Sequence, residues 1–79
     1  MGKVRQNLIG LRLKEFRSAA RPPLTQDALS RKIAEFDVHI DRAGIAKIES
    51  GIRSVLDFEL VAIAKALDVR VTSLLGVME

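Results

Sequence analysis

The sequence predicts an all-α fold, a compact bundle of about five short helices, and three observations carry that prediction. Apolar residues recur at helical spacing in successive stretches of the chain. No stretch alternates apolar and polar residues with a period of two, so no sheet is expected. Residues that stop or cap helices, among them Pro22-Pro23, Asp41 and Gly51, divide the chain into short segments. With 79 residues there is room for one domain, 1–79, around a single modest core.

Ile9, Leu13, Phe16 and Ala20 follow i, i+4, i+7 and i+11, and Arg21-Pro22-Pro23 then forces the chain out of the helix. A first helix is predicted from about Gln6 to Ala20. Thr25 is a good N-cap, Asp27 suits the positive end of a helix dipole, and Leu29, Ile33 and Phe36 repeat the spacing, which gives a second helix from about Gln26 to Phe36. Asp37-Val38-His39-Ile40 reads as a connector, with Asp37 suited to the left-handed conformation that ends many helices. Asp41 caps a third helix running to Ser50, with Ile45 and Ile48 inward and Gly51 as its stop. A fourth helix begins at Leu56 or Asp57 and carries Leu60, Ile63, Ala64 and Leu67 up to Asp68. A short fifth helix, about Val71 to Leu75, precedes an apolar tail of Val77 and Met78. All three phenylalanines sit at core spacing and are expected to pack inside.

Composition removes most enzymatic chemistry. The chain has no cysteine and one histidine, His39, so disulfides, thiolate nucleophiles, His-rich metal sites and nucleophile–histidine pairs have no material. No cofactor is expected. No apolar run reaches the ~18 residues of a membrane span, and the N-terminus lacks a signal peptide's apolar region, so a cytoplasmic chain without membrane attachment is expected. The net charge of +3 is distributed unevenly. Lys3, Arg5, Arg12, Lys14, Arg17 and Arg21 face only Glu15 in the first 21 residues, residues 22–53 balance, and residues 54–79 are net acidic. A basic end suits a polyanion, although a solvated face would look the same.

The order Ile9-Gly10, Phe16-Arg17, Leu24-Thr25-Gln26, Leu29, then Ile45-x-Lys47-Ile48-Glu49-x-Gly51 and Leu60-x-x-Ile63-Ala64-x-x-Leu67 resembles the phage-repressor and Cro-type helix-turn-helix family, also called the XRE family. The resemblance covers about residues 7–76. It implies a lambda-repressor-like bundle with the helix-turn-helix formed by helices two and three, and a bacterial or phage-encoded regulator of transcription, repressor-like, that binds double-stranded DNA. The chain departs from the common form by extra residues around Phe36–Ile40, as in members with a lengthened connector, and by two more around Pro22-Pro23. Ser30 stands where the family has alanine, so its hydroxyl needs a carbonyl partner. Arg70 stands where a capping Ser or Asp is usual.

The family pattern implies a map of contacts. Gln26, at the N-terminus of helix two, would face a phosphate, and Ser50 and Arg53 would grip the backbone of the other strand. The exposed side of helix three, Arg42, Ala43, Ala46 and Lys47, would read bases, with Arg42 first and Lys47 about one turn further along donating to guanine O6 and N7. Each of these would otherwise be an ordinary solvated residue. Gly44 costs about 1 kcal/mol relative to alanine in a helix interior. Close approach of the backbone to DNA or to the enlarged connector would offset that, with Ala43 or Ala46 on a thymine methyl; a helix tuned for packing is the alternative. Arg17 and Glu49 are implied as a structural ion pair.

His39 would be a loop histidine or a pH-sensitive neighbour of DNA. Lys3 and Arg5 form a basic arm, residues 1–6, that would reach a neighbouring groove or hang free. A homodimer on a palindromic operator is expected, paired through the C-terminal helix and tail, Leu74, Leu75, Val77 and Met78 with Leu11, unless these residues simply close the core. No small-molecule ligand is predicted. The competing reading is a helical protein-interaction module without DNA binding. Single-stranded nucleic acid is less suited, for want of exposed paired aromatics to stack bases.

Overall fold

The computed structural model describes residues 4–77. Five helices follow one another, α1 (Gly10–Ala19), α2 (Gln26–Ala34), α3 (Arg42–Ser50), α4 (Asp57–Leu67) and α5 (Val71–Leu75), with no strand among the described residues. α3 lies against both α1 and α2, α4 covers α2, and α5 closes the bundle by touching α4 and α1. Leu13, Leu29, Ile33, Ile45, Ile48, Ile63 and Leu74 meet at the centre with no exposed surface. At roughly 1.5–3 kcal/mol for each large apolar side chain removed from water, these seven outweigh any surface ion pair in the chain.

Two helices are shorter than their spacing predicts. α1 starts at Gly10 and not near Gln6, because Asn7 turns its carboxamide oxygen onto the amides of Ile9 and Gly10, at 3.0 and 2.7 Å. Asparagine competes with the helix in this way when it can bond neighbouring amides. α2 stops at Ala34, because the amides of Glu35, Phe36 and Asp37 bond three residues back in tight turns before Asp37 takes φ 61°. The left-handed Asp37 that the sequence allows thus ends the segment.

The connector is longer than a tight turn but firmly held. Val38 packs partly against the core and Ile40 is buried, while His39 between them is exposed. The Ser30 hydroxyl donates to the Ile40 carbonyl at 2.5 Å, which supplies the partner its burial demands. Asp41 then caps α3 by accepting from the Gly44 amide at 2.7 Å. A β-carbon on Gly44 would lie 3.0 Å from Ile40 Cγ2 and 3.1 Å from the Asp41 carboxylate. The close approach that the glycine implies is therefore made to the connector and the cap. Because Ile40 is buried, Gly44→Ala is expected to leave Tm unchanged or lower it, despite the ~1 kcal/mol of helix propensity it gains. A rise of about 5 °C in thermal denaturation would show that the connector has room to yield.

α4 begins at Asp57, where the Glu59 carboxylate accepts from the amide of the N-cap Leu56 at 3.0 Å. Its inner side carries Glu59, Ala62, Ile63, Ala64 and Ala66, and its outer stripe is Asp57, Phe58, Val61 and Lys65. Phe58 is accordingly 57% exposed, and Phe36, in the turn after α2, is 42% exposed. Only Phe16 packs partly against the core, so the expectation of three inward phenylalanines fails for two. Phe58 falls on the outer stripe by its place in the helical repeat of α4, and Phe36 lies past the end of α2, in the turn that closes it. α5 forms without a side-chain cap from Arg70. Its Leu74 is wholly buried and Leu75 packs partly against the core, so these two close the bundle and offer little free apolar surface. Leu11 and Val77 remain exposed, and Met78 lies outside the described residues.

Candidate nucleic-acid interface

α3 presents two sides of opposite character. Inward are Ile45, Ile48 and Glu49. Outward are Arg42, Ala43, Lys47 and Ser50, all exposed, with Ala46 half-buried between them. Positions 42, 43, 46, 47 and 50 share one helical face, so the residues expected to read bases are brought onto one surface. The side chains of Arg42 and Lys47 make no hydrogen bond or ion pair with the described residues and extend from that surface as charged donors.

The inward side is locked in its last turn by Glu49. Its carboxylate accepts from Arg17 Nε at 2.7 Å, from Arg17 Nη2 at 3.0 Å and from Gln26 Nε2 at 3.0 Å. The two-point pairing holds a nearly buried guanidinium, 13% exposed, against a carboxylate that is 6% exposed. Arg17 also donates through Nη1 to the Leu24 carbonyl at 2.8 Å, while the Leu24 amide returns to the Arg17 carbonyl at 3.0 Å. One ion pair thereby fixes α1, the loop before α2, and α3 together. Gln26 gives one amide hydrogen to this cluster and keeps a second for an outside acceptor. It sits in the first turn of α2, where Thr25 caps the Ala28 amide at 3.0 Å.

Ser50 and Arg53 are already engaged. The Ser50 hydroxyl donates to the Lys47 carbonyl at 3.1 Å. Arg53 donates to Glu59 through both terminal nitrogens, at 3.1 and 2.9 Å, and to the Ser54 carbonyl at 3.0 Å. A phosphate at this end would have to share them. The Arg53 guanidinium holds the Glu59 carboxyl below its ordinary value of 4.5, against the opposing effect of burial and with help from the Leu56 amide, and the same bond raises Arg53. A folded-state pKa below the unfolded one contributes stability that is complete above the unfolded value and is lost as pH falls through the folded value. The advantage in Tm of the parent over Glu59→Gln is therefore expected to hold near neutrality and to shrink below about pH 4.5. A difference that stays constant down to pH 3 would show that the ionised carboxylate contributes nothing.

The last turn of α3 is held by residues whose role the sequence did not reveal. Gly51, at φ 84°, donates to Ile48 O and Ile52 donates to Lys47 O, both at 3.0 Å, the paired closure that left-handed caps provide. Asn7 Nδ2 donates to Ile48 O at 2.9 Å and to Arg53 O at 2.8 Å, Arg5 Nη2 donates to Glu49 O at 2.8 Å, and the Gln6 amide donates to Gly51 O at 2.7 Å. Arg5 is thus not a free arm: its charge sits against the negative end of the α3 dipole, where a cation is favoured. Lys3, the other basic residue of that arm, lies outside the described residues. The available signal was Asn7 itself, a residue that suits helix starts better than helix interiors.

His39 and Arg42 flank the cap of α3, so the connector borders the exposed face at its N-terminal end. No described group of acidic, histidine or cysteine residues has the makings of a metal site, and no described helix is long and apolar enough to cross a membrane. A family model described as helix-turn-helix matches residues 24–74, which span α2, the connector, α3, α4 and most of α5. No curated protein sequence and no solved structure matches the chain. The match covers well over half of the chain and coincides with the helices that build the two-sided α3, so the chain belongs to the helix-turn-helix family of DNA-binding transcription regulators, in its phage-repressor and Cro, or XRE, form.

Proposed function

We propose that this chain binds double-stranded DNA sequence-specifically, as a homodimer on a palindromic operator, and represses transcription by occupying that site in the cytoplasm of a bacterial host. The observation that carries this reading is the contrast between the two sides of α3. One side is held by Arg17, Gln26, Asn7 and Arg5, while the other extends the side chains of Arg42 and Lys47 outward with no partner among the described residues. A rigid helix with free donors on one face is what the major groove admits. Arg42, in the first turn, donates to guanine O6 and N7; Lys47 reaches the next bases; Ala43 and Ala46 lie against thymine methyls. Gln26 and the free amides of the first turn of α2 bind a phosphate. Ser50 and Arg53 hold the opposite strand, and Arg53 keeps its loop in place through Glu59 until a phosphate shares it. One domain covers one half-site, and pairing two doubles the contacts.

Selection of bound sequences from a random double-stranded library tests the proposal. A palindromic motif is expected, with binding weakened by added salt as counterions return to the phosphates. Arg42→Ala is expected to cost about 1–3 kcal/mol at the selected site and to relax preference at one base position in each half. Absence of any enriched motif, together with binding indifferent to Arg42→Ala, would remove sequence-specific recognition.

A further inference from the structure

The outer stripe of α4 plays no part in the core or in the proposed DNA face. Phe36, Val38, Phe58, Val61, Ala62 and Lys65 line an open groove of about 270 Å³ there. Phe58, Val61 and Phe36 are 57%, 44% and 42% exposed, and Lys65 Nζ stands 6.0 Å from the centre of the Phe36 ring. A soluble chain that leaves two aromatic rings and a valine on one groove has a surface suited to burial against another protein.

We propose that the occupant of this groove is α4 of a second copy, packed antiparallel about a two-fold axis through Val61. The inference rests on the homodimeric reading above and assigns its pairing surface. In an antiparallel pair centred on residue 61, each residue faces the one equally far on the other side of the centre. Asp57 and Lys65 lie four residues before and after it, about 6 Å along the helix in each direction. Each copy's Asp57 then meets the other's Lys65, giving two equivalent opposite-charge contacts, as an isologous interface requires. Phe58 falls at the level of residue 64 of the other copy. There it enters the groove between Val61 and Lys65, and the Lys65 ammonium lies between its own Phe36 and the incoming Phe58.

The exposed Leu11 on α1 offers a competing surface, but its charged neighbours do not match across a two-fold axis. Arg12, Lys14 and Glu15 beside it are all exposed, and none has an opposite charge at the same distance on the other side of Leu11, where Gly10, Leu8 and Asn7 stand. The α4 stripe carries one charge of each sign at matching distances from its apolar centre. Its area is small beside the roughly 800 Å² per partner of a stable complex, so pairing in the free chain is weak and is completed when two copies occupy adjacent half-sites.

The absence of cysteine makes the test direct. Val61→Cys in the full chain, oxidised at high protein concentration without DNA, is expected to form a symmetric disulfide dimer in high yield. Lys65→Cys alone, about 12 Å along the helix from its own symmetry mate, and Leu11→Cys are expected to cross-link poorly. Sedimentation equilibrium supplies the second arm. Asp57→Lys or Lys65→Asp alone is expected to weaken self-association about fivefold or more, and the double exchange to restore it, with circular dichroism confirming that each variant is folded. Cross-linking through Leu11→Cys in place of Val61→Cys overturns the proposal. A chain that stays monomeric at millimolar concentration with no Val61→Cys dimer overturns it too, as does a double exchange that fails to restore pairing. Binding of the monomer to a duplex with a single half-site reports on DNA recognition separately, so loss of that binding counts against the proposed function and leaves the pairing surface standing.

Discussion

Glu49→Ala is expected to destabilise the fold by about 3–5 kcal/mol, the usual consequence of removing one partner from a buried ion pair. The carboxylate is nearly buried and accepts three bonds, two from Arg17 and one from Gln26. Its loss leaves the Arg17 guanidinium, 13% exposed, with only the Leu24 carbonyl as partner. Against a total stability of about 5–15 kcal/mol for a typical domain, a loss of that size lowers Tm by tens of degrees. Arg17→Ala should cost a similar amount by stranding the carboxylate, and the double variant should cost clearly less than the sum of the two. Urea denaturation of the four proteins measures this directly. A change under about 1 kcal/mol for Glu49→Ala would place the pair among exposed ion pairs, which contribute little. DNA binding should fall with stability and also beyond it, because Gln26 loses the contact that orients its side chain. The Glu49→Gln variant, folded but with a weaker hold on Arg17, separates the two effects.

The parts of this molecule legible in the sequence are those encoded within a few residues of one another. Asp41 and Gly51 bracket α3 because a cap and a left-handed stop act on adjacent amides and carbonyls. Asp37 could be read as the end of the α2 segment for the same reason. The outward face of α3 followed from subtracting Ile45 and Ile48 at helical spacing. The pair Arg17 and Glu49, 32 residues apart, entered through family resemblance, since nothing local joins them.

What stayed hidden depends on distance or on register. Asn7 and Arg5 reach carbonyls more than 40 residues away, so their part in fixing the end of α3 has no periodic signature. Arg53 reads as a phosphate contact through the family resemblance, and its bonds to Glu59 depend on how the loop after Gly51 folds back onto α4. Phe36 and Phe58 read as inward because they sit at core spacing. Their exposure follows from register: Phe58 stands on the outer stripe of α4 beside Val61, and α2 ends at Ala34, before its repeat reaches Phe36.

Gly10→Ala should be among the most damaging single-atom-group changes available in this chain, because the glycine is required by contact and not by conformation. It lies within α1, where alanine would ordinarily gain about 1 kcal/mol over glycine. Here a β-carbon would come 2.2 Å from the Ile48 carbonyl oxygen and 3.1 Å from its carbon, with the Arg5 guanidinium 2.4 Å away. Arg5 can swing aside, but Ile48 belongs to the backbone of α3, and its carbonyl is already fixed by Asn7 and the Gly51 amide. Relief therefore requires α1 and α3 to part, which opens the core around Leu13 and Ile48, both wholly buried. Overpacking of this kind costs about 1–3 kcal/mol, occasionally more, and a backbone neighbour puts this site at the upper end. A net loss near 3 kcal/mol corresponds to a fall in Tm on the order of 15 °C for a domain of this size. The displacement also tilts α3, so affinity for a selected operator should drop even at temperatures where the variant is folded. Equal or higher Tm in the alanine variant would mean that α1 and α3 have slack between them, and the tight seating of α3 on α1 would then need another explanation.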